Sequence, residues 1–496
     1  MSHSCQRRHG HHAPKRQAGD RIVSFPESLH AAYDVIVIGA GPAGLAAAAT
    51  TAEAGLRTLL VDENSTPGGQ IYRAITTSPL KNSSILGKDY EAGNDLVHTF
   101  EKSGADRLAG CTVWSLDRER VVGLSCGGEA RLIKAERVII ATGAMERPFP
   151  IPGWTLPGVM TIGAGQTLLK SSGLIPSGRL ALAGQGPLLW LYAAQILRAG
   201  GHIAAIFDTT PLANYISAAP HLPGFVFSPY WIKGLGLIRE VKRAVKIVTG
   251  VTRLEAQGKN KLQTLVWEAG SRTGSIDLDV LMLHQGVVPH VNLAMAAGIK
   301  HEWDDIQLCF RPVLDESGNS SIKGIMIAGD GAGIGGAESA AERGRLAAID
   351  TVANLRPDAL AQIPSRDNVR NRLAQTMRGR AFLDHLYRPS KVFRIPQDAS
   401  TIVCRCEEIT AGEIRASIAI GATGPNQLKA YRRTGMGPCQ GRLCGLTVTE
   451  LMADERGKSP EEIGYYRLRS PVKPISLAEL ASIPQDETAL KAVVRG

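Results

Sequence analysis

Four consecutive apolar residues, Val35 to Ile38, read as a strand buried on both faces of a parallel sheet. A glycine-rich turn follows, then a run of small residues, Ala46 to Ala49, suited to a closely packed helix. A second apolar strand, Thr58 to Val61, completes a β–turn–α–β unit. The same pattern returns at Arg179 to Asp208, which predicts a duplicated fold. Further buried strands are expected at Arg137 to Ala141 and Val280 to Pro289. From Ile322 to Ala348 a strand, a glycine-rich turn and a long alanine-rich helix are expected. Between Cys111 and Lys134 short alternating segments predict a small antiparallel insert.

Breaks in this pattern divide the chain. Residues 1–30 carry no apolar period and read as a disordered basic arm, with His3, His9, His11 and His12 solvated rather than fixed around a metal. Residues 31–150 and 281–350 form the first dinucleotide-binding domain, and the prolines at 148, 150, 152 and 157 mark a crossover into an inserted second one at 151–280. A charged helical connector is expected at 351–398. A small cysteine domain follows at 399–455, with helices near Ala411–Ile420 and Asn426–Tyr431. The proline-punctuated tail, 456–496, has little capacity to fold alone and reads as a partner-docking segment.

The first turn, Gly39-Ala40-Gly41-Pro42-Ala43-Gly44, has the spacing G-x-G-x-x-G. Its first glycine allows the sharp turn, the second admits a pyrophosphate, and the third lets helix and strand pack closely. The free N–H groups and positive dipole end of the helix then face the phosphates. Asp62 and Glu63 end the second strand where an acid accepts hydrogen bonds from an adenosine ribose. Next comes a loop, Pro67 to Arg73, of the kind that covers a diphosphate and approaches a flavin ring; Gly69, Gln70 and Arg73 are its candidate contacts. Ala141-Thr142-Gly143 closes a strand near the nucleotide. Gly329-Asp330 places a carboxylate for ribityl hydroxyls or a phosphate edge, just before a helix whose N-terminus faces the pyrimidine side of a flavin.

The second turn, Gly184-Gln185-Gly186, lacks the third glycine; Leu189 stands there beside Trp190. A nicotinamide site and a scaffold that no longer binds a dinucleotide are both open, and the missing glycine favours the scaffold. The aromatic stretch at 221–231 is read as lining a channel or a subunit contact. His284 and His290, at a strand end, are read as structural rather than acid–base groups.

Length and composition fit this picture: 496 residues suit about three units, and 44% hydrophobic with 21% charged residues is ordinary for a globular chain. Of the net charge of +10, residues 1–21 supply +4, and no basic–aromatic interleaving points to nucleic acid. No apolar run reaches the roughly 18 residues of a membrane helix, and Arg7-Arg8 lacks the hydrophobic segment of an export signal, so a cytoplasmic location is expected. Eight cysteines are too few for a disulfide scaffold. Four of them cluster, as Cys404 and Cys406, then 32 residues, then Cys439 and Cys444. Thiolates suit zinc or an iron–sulfur cluster; C-x-C is too tight for an ordinary zinc knuckle, and a [2Fe–2S] cluster makes sense beside a flavin domain. No C-x-x-C occurs, which argues against thiol-relay chemistry.

Taken together, GAGPAG, PGGQIY, ATGAMERP, GDGAGIGGAESAAERGRLAA, CRCEEIT and GMGPCQGRLC resemble one family over roughly residues 30–480, the A (alpha) subunits of opine oxidases. The middle subunit of hydrogen cyanide synthase, the alpha subunits of proline and hydroxyproline dehydrogenases and the large subunit of heterotetrameric sarcosine oxidase are similar. The resemblance implies an α/β, disulfide-reductase-like flavoprotein with two dinucleotide-binding domains, fused to a small helical domain like bacterioferritin-associated ferredoxin (BFD). It implies FAD, a [2Fe–2S] cluster on the four cysteines, and an FMN at the interface with an FAD-dependent, amine-oxidising beta subunit. A small third subunit belongs to the same expectation. The implied substrate is an opine, octopine or nopaline, oxidised to L-arginine and a 2-oxo acid. Relatives differ over whether the first pocket holds FAD, NAD or ATP. The ferredoxin-like pattern usually ends in C-x-x-C, whereas four residues separate Cys439 from Cys444, a longer loop found in relatives with and without a cluster.

Overall fold

A computed structural model describes residues 25–80 and 84–484; the four histidines of the basic arm and the last twelve residues of the tail lie outside them. Strand Ala32–Ile38 is the centre of a seven-stranded sheet, flanked in parallel by Thr58–Asp62 and by the end of Glu129–Ile140. Ile325–Ile327 joins the far side of that strand in parallel, so a segment from late in the chain completes the first fold. The alternating stretch forms an antiparallel meander, Thr112–Leu116, Val121–Cys126 and the start of Glu129–Ile140, which extends the same sheet. Its first hairpin carries a disulfide, Cys111–Cys126, with Cα atoms 4.5 Å apart. A cysteine total gives no sign of this pair, which the register of two neighbouring strands brings together.

Helix Pro42–Glu53 is buried along nearly its whole length, because alanine lets it lie flat on the sheet and against helix Ala337–Leu355. Close contact is enforced at two glycines. A Cβ on Gly44 would stand 1.7 Å from the Gly39 carbonyl oxygen, and one on Gly344 would stand 2.1 Å from that of Ala43.

The inserted fold has a five-stranded parallel sheet in the order 247–249, 205–208, 180–185, 280–285, 159–161, with a three-stranded antiparallel meander from Arg253 to Asp277 beside it. Helix Pro187–Arg198 packs without the third glycine; Leu189 is fully buried among Ile162, Leu182 and Tyr192. The connector folds into short helices, among them Arg366–Thr376 and Arg380–Leu386.

The cysteine domain has helices Ala411–Ala419 and Pro425–Arg432, close to the expected spans, and a buried third one, Gly445–Arg456. Thr410 and Glu413 cap the first reciprocally, as the spacing T-x-x-E allows. The described part of the tail does not stand free. Ile463, Tyr466 and Leu468 enter the core of the cysteine domain, and Val472 enters that of the first fold. Among the described residues no helix is long and apolar enough to cross a membrane.

Candidate functional site

One cleft of about 1440 Å³ runs along the mouths of both folds and reaches the cysteine domain. Its floor at the first fold is the glycine turn. Gly39 has φ +107°, and a Cβ there would meet the Ala141 carbonyl oxygen at 2.6 Å. Gly41 caps the helix and faces Gly69, whose own Cβ would lie 2.8 Å from the Gly41 Cα. Turn and loop are therefore in backbone contact, tied by the Gly68 N–H donating to the Ala40 carbonyl at 2.8 Å.

All the candidate nucleotide residues line this cleft except Ala40 and Gly44, which lie behind the turn. Asp62 is held by the Ala40 N–H at 2.6 Å on one oxygen and by the Asn64 backbone and side-chain N–H groups, both at 2.7 Å, on the other. Glu63 pairs with Lys473 of the tail. Arg73 donates to the Asn64 side chain, and its buried Nε has no partner. Pro42 and Ala43 begin the helix, and Ala43 meets Gly329 so closely that a Cβ on that glycine would stand 2.7 Å from the alanine's. Thr142 presents a buried, unpartnered hydroxyl, and the Gly143 carbonyl accepts from the His290 N–H at 2.9 Å. One oxygen of Asp330 accepts from Gly335 and Gly336 N–H, both at 2.9 Å, fixing the turn into helix Ala337–Leu355.

This set fits an adenine dinucleotide such as FAD. A helix N-terminus without side-chain capping, a glycine cradle that any Cβ would fill, and the unpartnered Thr142 and Arg73 groups all await an anionic, hydroxyl-rich ligand.

The four clustered cysteines are brought together as two hydrogen-bonded pairs, Cys404 with Cys444 and Cys406 with Cys439. The Cys444 thiol donates to Cys404 and, with backbone N–H groups of Gly435, Glu407 and Cys406, holds the Cys404 thiol down to about 6. Cys444 is pushed up by the same bond and by burial. Gly437 permits the approach, since a Cβ there would stand 2.3 Å from that of Cys406. Among the described residues no three metal-ligating side chains close around a single ion. Four thiols brought together with backbone donors around them are the donor chemistry that a [2Fe–2S] cluster would require.

Residues 33–349 match the model of the pyridine nucleotide-disulphide oxidoreductase family, and residues 402–454 that of the BFD-like [2Fe-2S] binding domain. The opine oxidase A chain of Agrobacterium tumefaciens (strain Ach5) is 46% identical over 95% of this chain and 96% of its own length. The chain belongs to the family of opine oxidase A subunits. Hydrogen cyanide synthase subunit HcnB of Pseudomonas protegens is 29% identical over 91% of this chain and 98% of its own. In fold, the L-proline dehydrogenase from P. horikoshii superposes with a TM-score of 0.68 at 19% identity, over 90% of this chain and 79% of that one. The chain is thus an FAD-dependent oxidoreductase that joins a flavin-type fold to a BFD-like [2Fe-2S] binding domain.

Two features of this opine oxidase A-subunit relative were not legible in its sequence. In the second fold, the connector sits on the turn that would meet a dinucleotide. Gln185 Nε2 donates to the Tyr387 carbonyl at 2.8 Å, Asn214 donates to those of Leu386 and Arg388 at 2.9 and 2.8 Å, and Trp190 bonds the Tyr387 side chain. Asp208, at the ribose position, is buried and turned to the Thr210 N–H at 2.9 Å. Secondly, His284 is paired. Its Nδ1 lies 2.7 Å from Glu146, whose other oxygen accepts the Gly163 N–H at 2.9 Å, and both side chains line the cleft. Glu146 lies within the ATGAMERP motif, but its partner is 138 residues away, beyond any spacing rule. The aromatic stretch supplies Phe225, Tyr230 and Trp231 to the cleft wall.

Proposed function

We propose that this chain is the flavin and iron–sulfur subunit of a heteromeric opine oxidase, and that its complex oxidises octopine or nopaline. The observation that carries this reading is full-length similarity to opine oxidase A subunits, joined to one cleft lined by both the glycine turn and the cysteine loops. In the reaction, the secondary amine loses two electrons and two protons to give an imine. Water then cleaves the imine to L-arginine and a 2-oxo acid. The amine-oxidising partner takes the hydride, and this chain passes electrons onward.

The residues here bind and orient. The turn at 39–44 would hold a diphosphate, Asp62 a ribose, Asp330 the ribityl hydroxyls or a phosphate edge, and the start of helix Ala337–Leu355 the pyrimidine side of the redox ring. Cys404, Cys406, Cys439 and Cys444 hold the cluster. An FAD beside a [2Fe–2S] centre supplies the conversion of electron pairs into single electrons. Arg405 and Arg442, from the cysteine loops, line the cleft and offer guanidinium groups to the phosphate of an interface FMN, which belongs to the same proposal. The rival reading, a self-contained NAD(P)H-dependent reductase, is disfavoured by the connector seated on the second turn.

Purification with its partner subunit, followed by optical and paramagnetic spectra and assays against octopine and nopaline, tests the proposal. Flavin absorbance, a reduced-cluster signal and arginine release are expected, and Cys439→Ser is expected to remove the paramagnetic signal while leaving the flavin. A complex without either chromophore, or inert to both opines, sinks it.

A further inference from the structure

Two of the clustered cysteines reach solvent outside the cleft. The cysteine loops give Arg405, Arg442 and Leu443 to the cleft wall but neither Cys406 nor Cys439, which are the half-buried pair; Cys404 and Cys444 are buried. Over Cys406 runs the loop after helix Pro425–Arg432, with Gly437 packed against that cysteine and Met436 46% exposed beside it. The end of the helix adds Tyr431, 49% exposed, and Arg433, which donates to Glu407 at 3.0 Å. Gly435 and Gly441 of the loop lie on the Tyr466 ring. Along the tail Tyr466 and Leu468 turn inward, so Arg467 and Arg469 turn out on the same rim. Lys429 joins them, donating to the Arg467 carbonyl at 3.4 Å and repelled by the Arg469 guanidinium.

We propose that this rim is the docking surface for a small, acidic, one-electron carrier protein, the acceptor to which the complex delivers its electrons. This rests on the oxidase function proposed above. From Ile414 to Thr449 the chain has five basic residues and no acidic one. Among the described residues Lys429, Arg467 and Arg469 have no ion-pair partner. Charges of one sign gathered in this way repel one another; an acidic partner relieves them and is steered onto them. The residue types distinguish a protein contact from a merely solvated face. Arg, Tyr and Met are enriched where proteins bind one another, whereas Lys is depleted, and here Lys429 stands among three arginines. Docking on the rim sets the carrier over Cys406 and Cys439. Each amine oxidised gives up two electrons, so two carriers dock in turn, each gaining one, while two protons pass to water.

The test uses the complex co-purified with its amine-oxidising subunit and two soluble probes of opposite charge, the acidic haem domain of cytochrome b5 and the basic cytochrome c. Calorimetric titration at low salt is expected to show cytochrome b5 binding at least tenfold more tightly than cytochrome c, with an affinity that falls as salt rises. Arg467→Gln combined with Arg469→Gln is expected to weaken that binding at least tenfold, and Arg467→Lys combined with Arg469→Lys to keep most of it. Both variants should retain the cluster signal, the melting temperature and the rate of opine oxidation with a dye acceptor. A complex without a cluster signal, or inert to opines, overturns the oxidase reading and this one with it. With both present, equal binding of the two cytochromes, or unchanged binding by the Gln variant, overturns the docking proposal alone. Protection of Arg467 and Arg469 from phenylglyoxal by the amine-oxidising subunit would make the rim a subunit contact and overturn it as well. Preference for phosphatidylglycerol vesicles over cytochrome b5 would do the same.

Discussion

Gly44 and Gly344 differ in how they could be known. The first was legible from its spacing to Gly39 and Gly41; the second sits in an alanine-rich helix where nothing in the sequence marks a crossing. Both allow a backbone contact that a methyl group would block. Gly344→Ala is therefore expected to cost about 1–3 kcal/mol, read as a lower denaturant midpoint with unchanged slope. Lys170 was equally hidden. It reaches from helix Ile162–Ser172 to donate to the carbonyls of Gln70 and Ile71 at 3.2 and 2.7 Å, and so holds the loop over the cleft. Burial lowers its ammonium to about 7. Between that pH and the ordinary lysine range the folded chain binds fewer protons than the unfolded one. Stability therefore rises with pH across this window, by at most about 1.4 kcal/mol per unit. Denaturation near pH 7 and near pH 9 should show this rise in wild type and a smaller one in Lys170→Met; equal slopes would count against it.

At the scale of elements, repeated apolar strands and their turns announced both sheets, because a strand buried on two faces must be continuously apolar. The second turn also announced its own defect through Leu189. What covers that turn was not readable, since the Gln185 and Asn214 side chains bond backbone carbonyls at 386–388, which carry no sequence signature. NADH or NADPH added to the isolated chain is accordingly expected to leave its flavin absorbance unchanged over minutes. Rapid bleaching would show the second fold open. Gln185→Ala combined with Asn214→Ala removes three bonds to the connector and is expected to speed tryptic cleavage after Arg378 and Arg380 several-fold, followed by mass spectrometry. The tail illustrates the same limit: few apolar residues suggested a segment awaiting a partner, yet Val472 finds its partner in this chain's own first fold.

For the whole molecule, the junction between flavin-type fold and cysteine domain is charged and buried. Glu450, on helix Gly445–Arg456, meets Arg394 at 2.5 Å and Arg147 at 3.8 Å, and Arg147 also donates to the carbonyls of Gln307 and Leu308 at 2.6 and 2.9 Å. Removing one member of a buried ionic group leaves the others uncompensated. Glu450→Gln is expected to cost about 3–5 kcal/mol and to split unfolding into two transitions, visible by calorimetry. A second tie crosses the same junction: Trp154 donates its indole N–H to the Ile402 carbonyl at 2.7 Å, and the Arg405 guanidinium lies over its ring at 5.1 Å. Arg405 stands between two of the clustered cysteines while its side chain forms part of the cleft wall. The cysteine domain is thus not an interchangeable cartridge. Grafting one from another protein would open a window in the flavin chamber unless Trp154 and its cationic neighbour travelled with it, so recombination among such genes should preserve this pairing or leave a leaky enzyme.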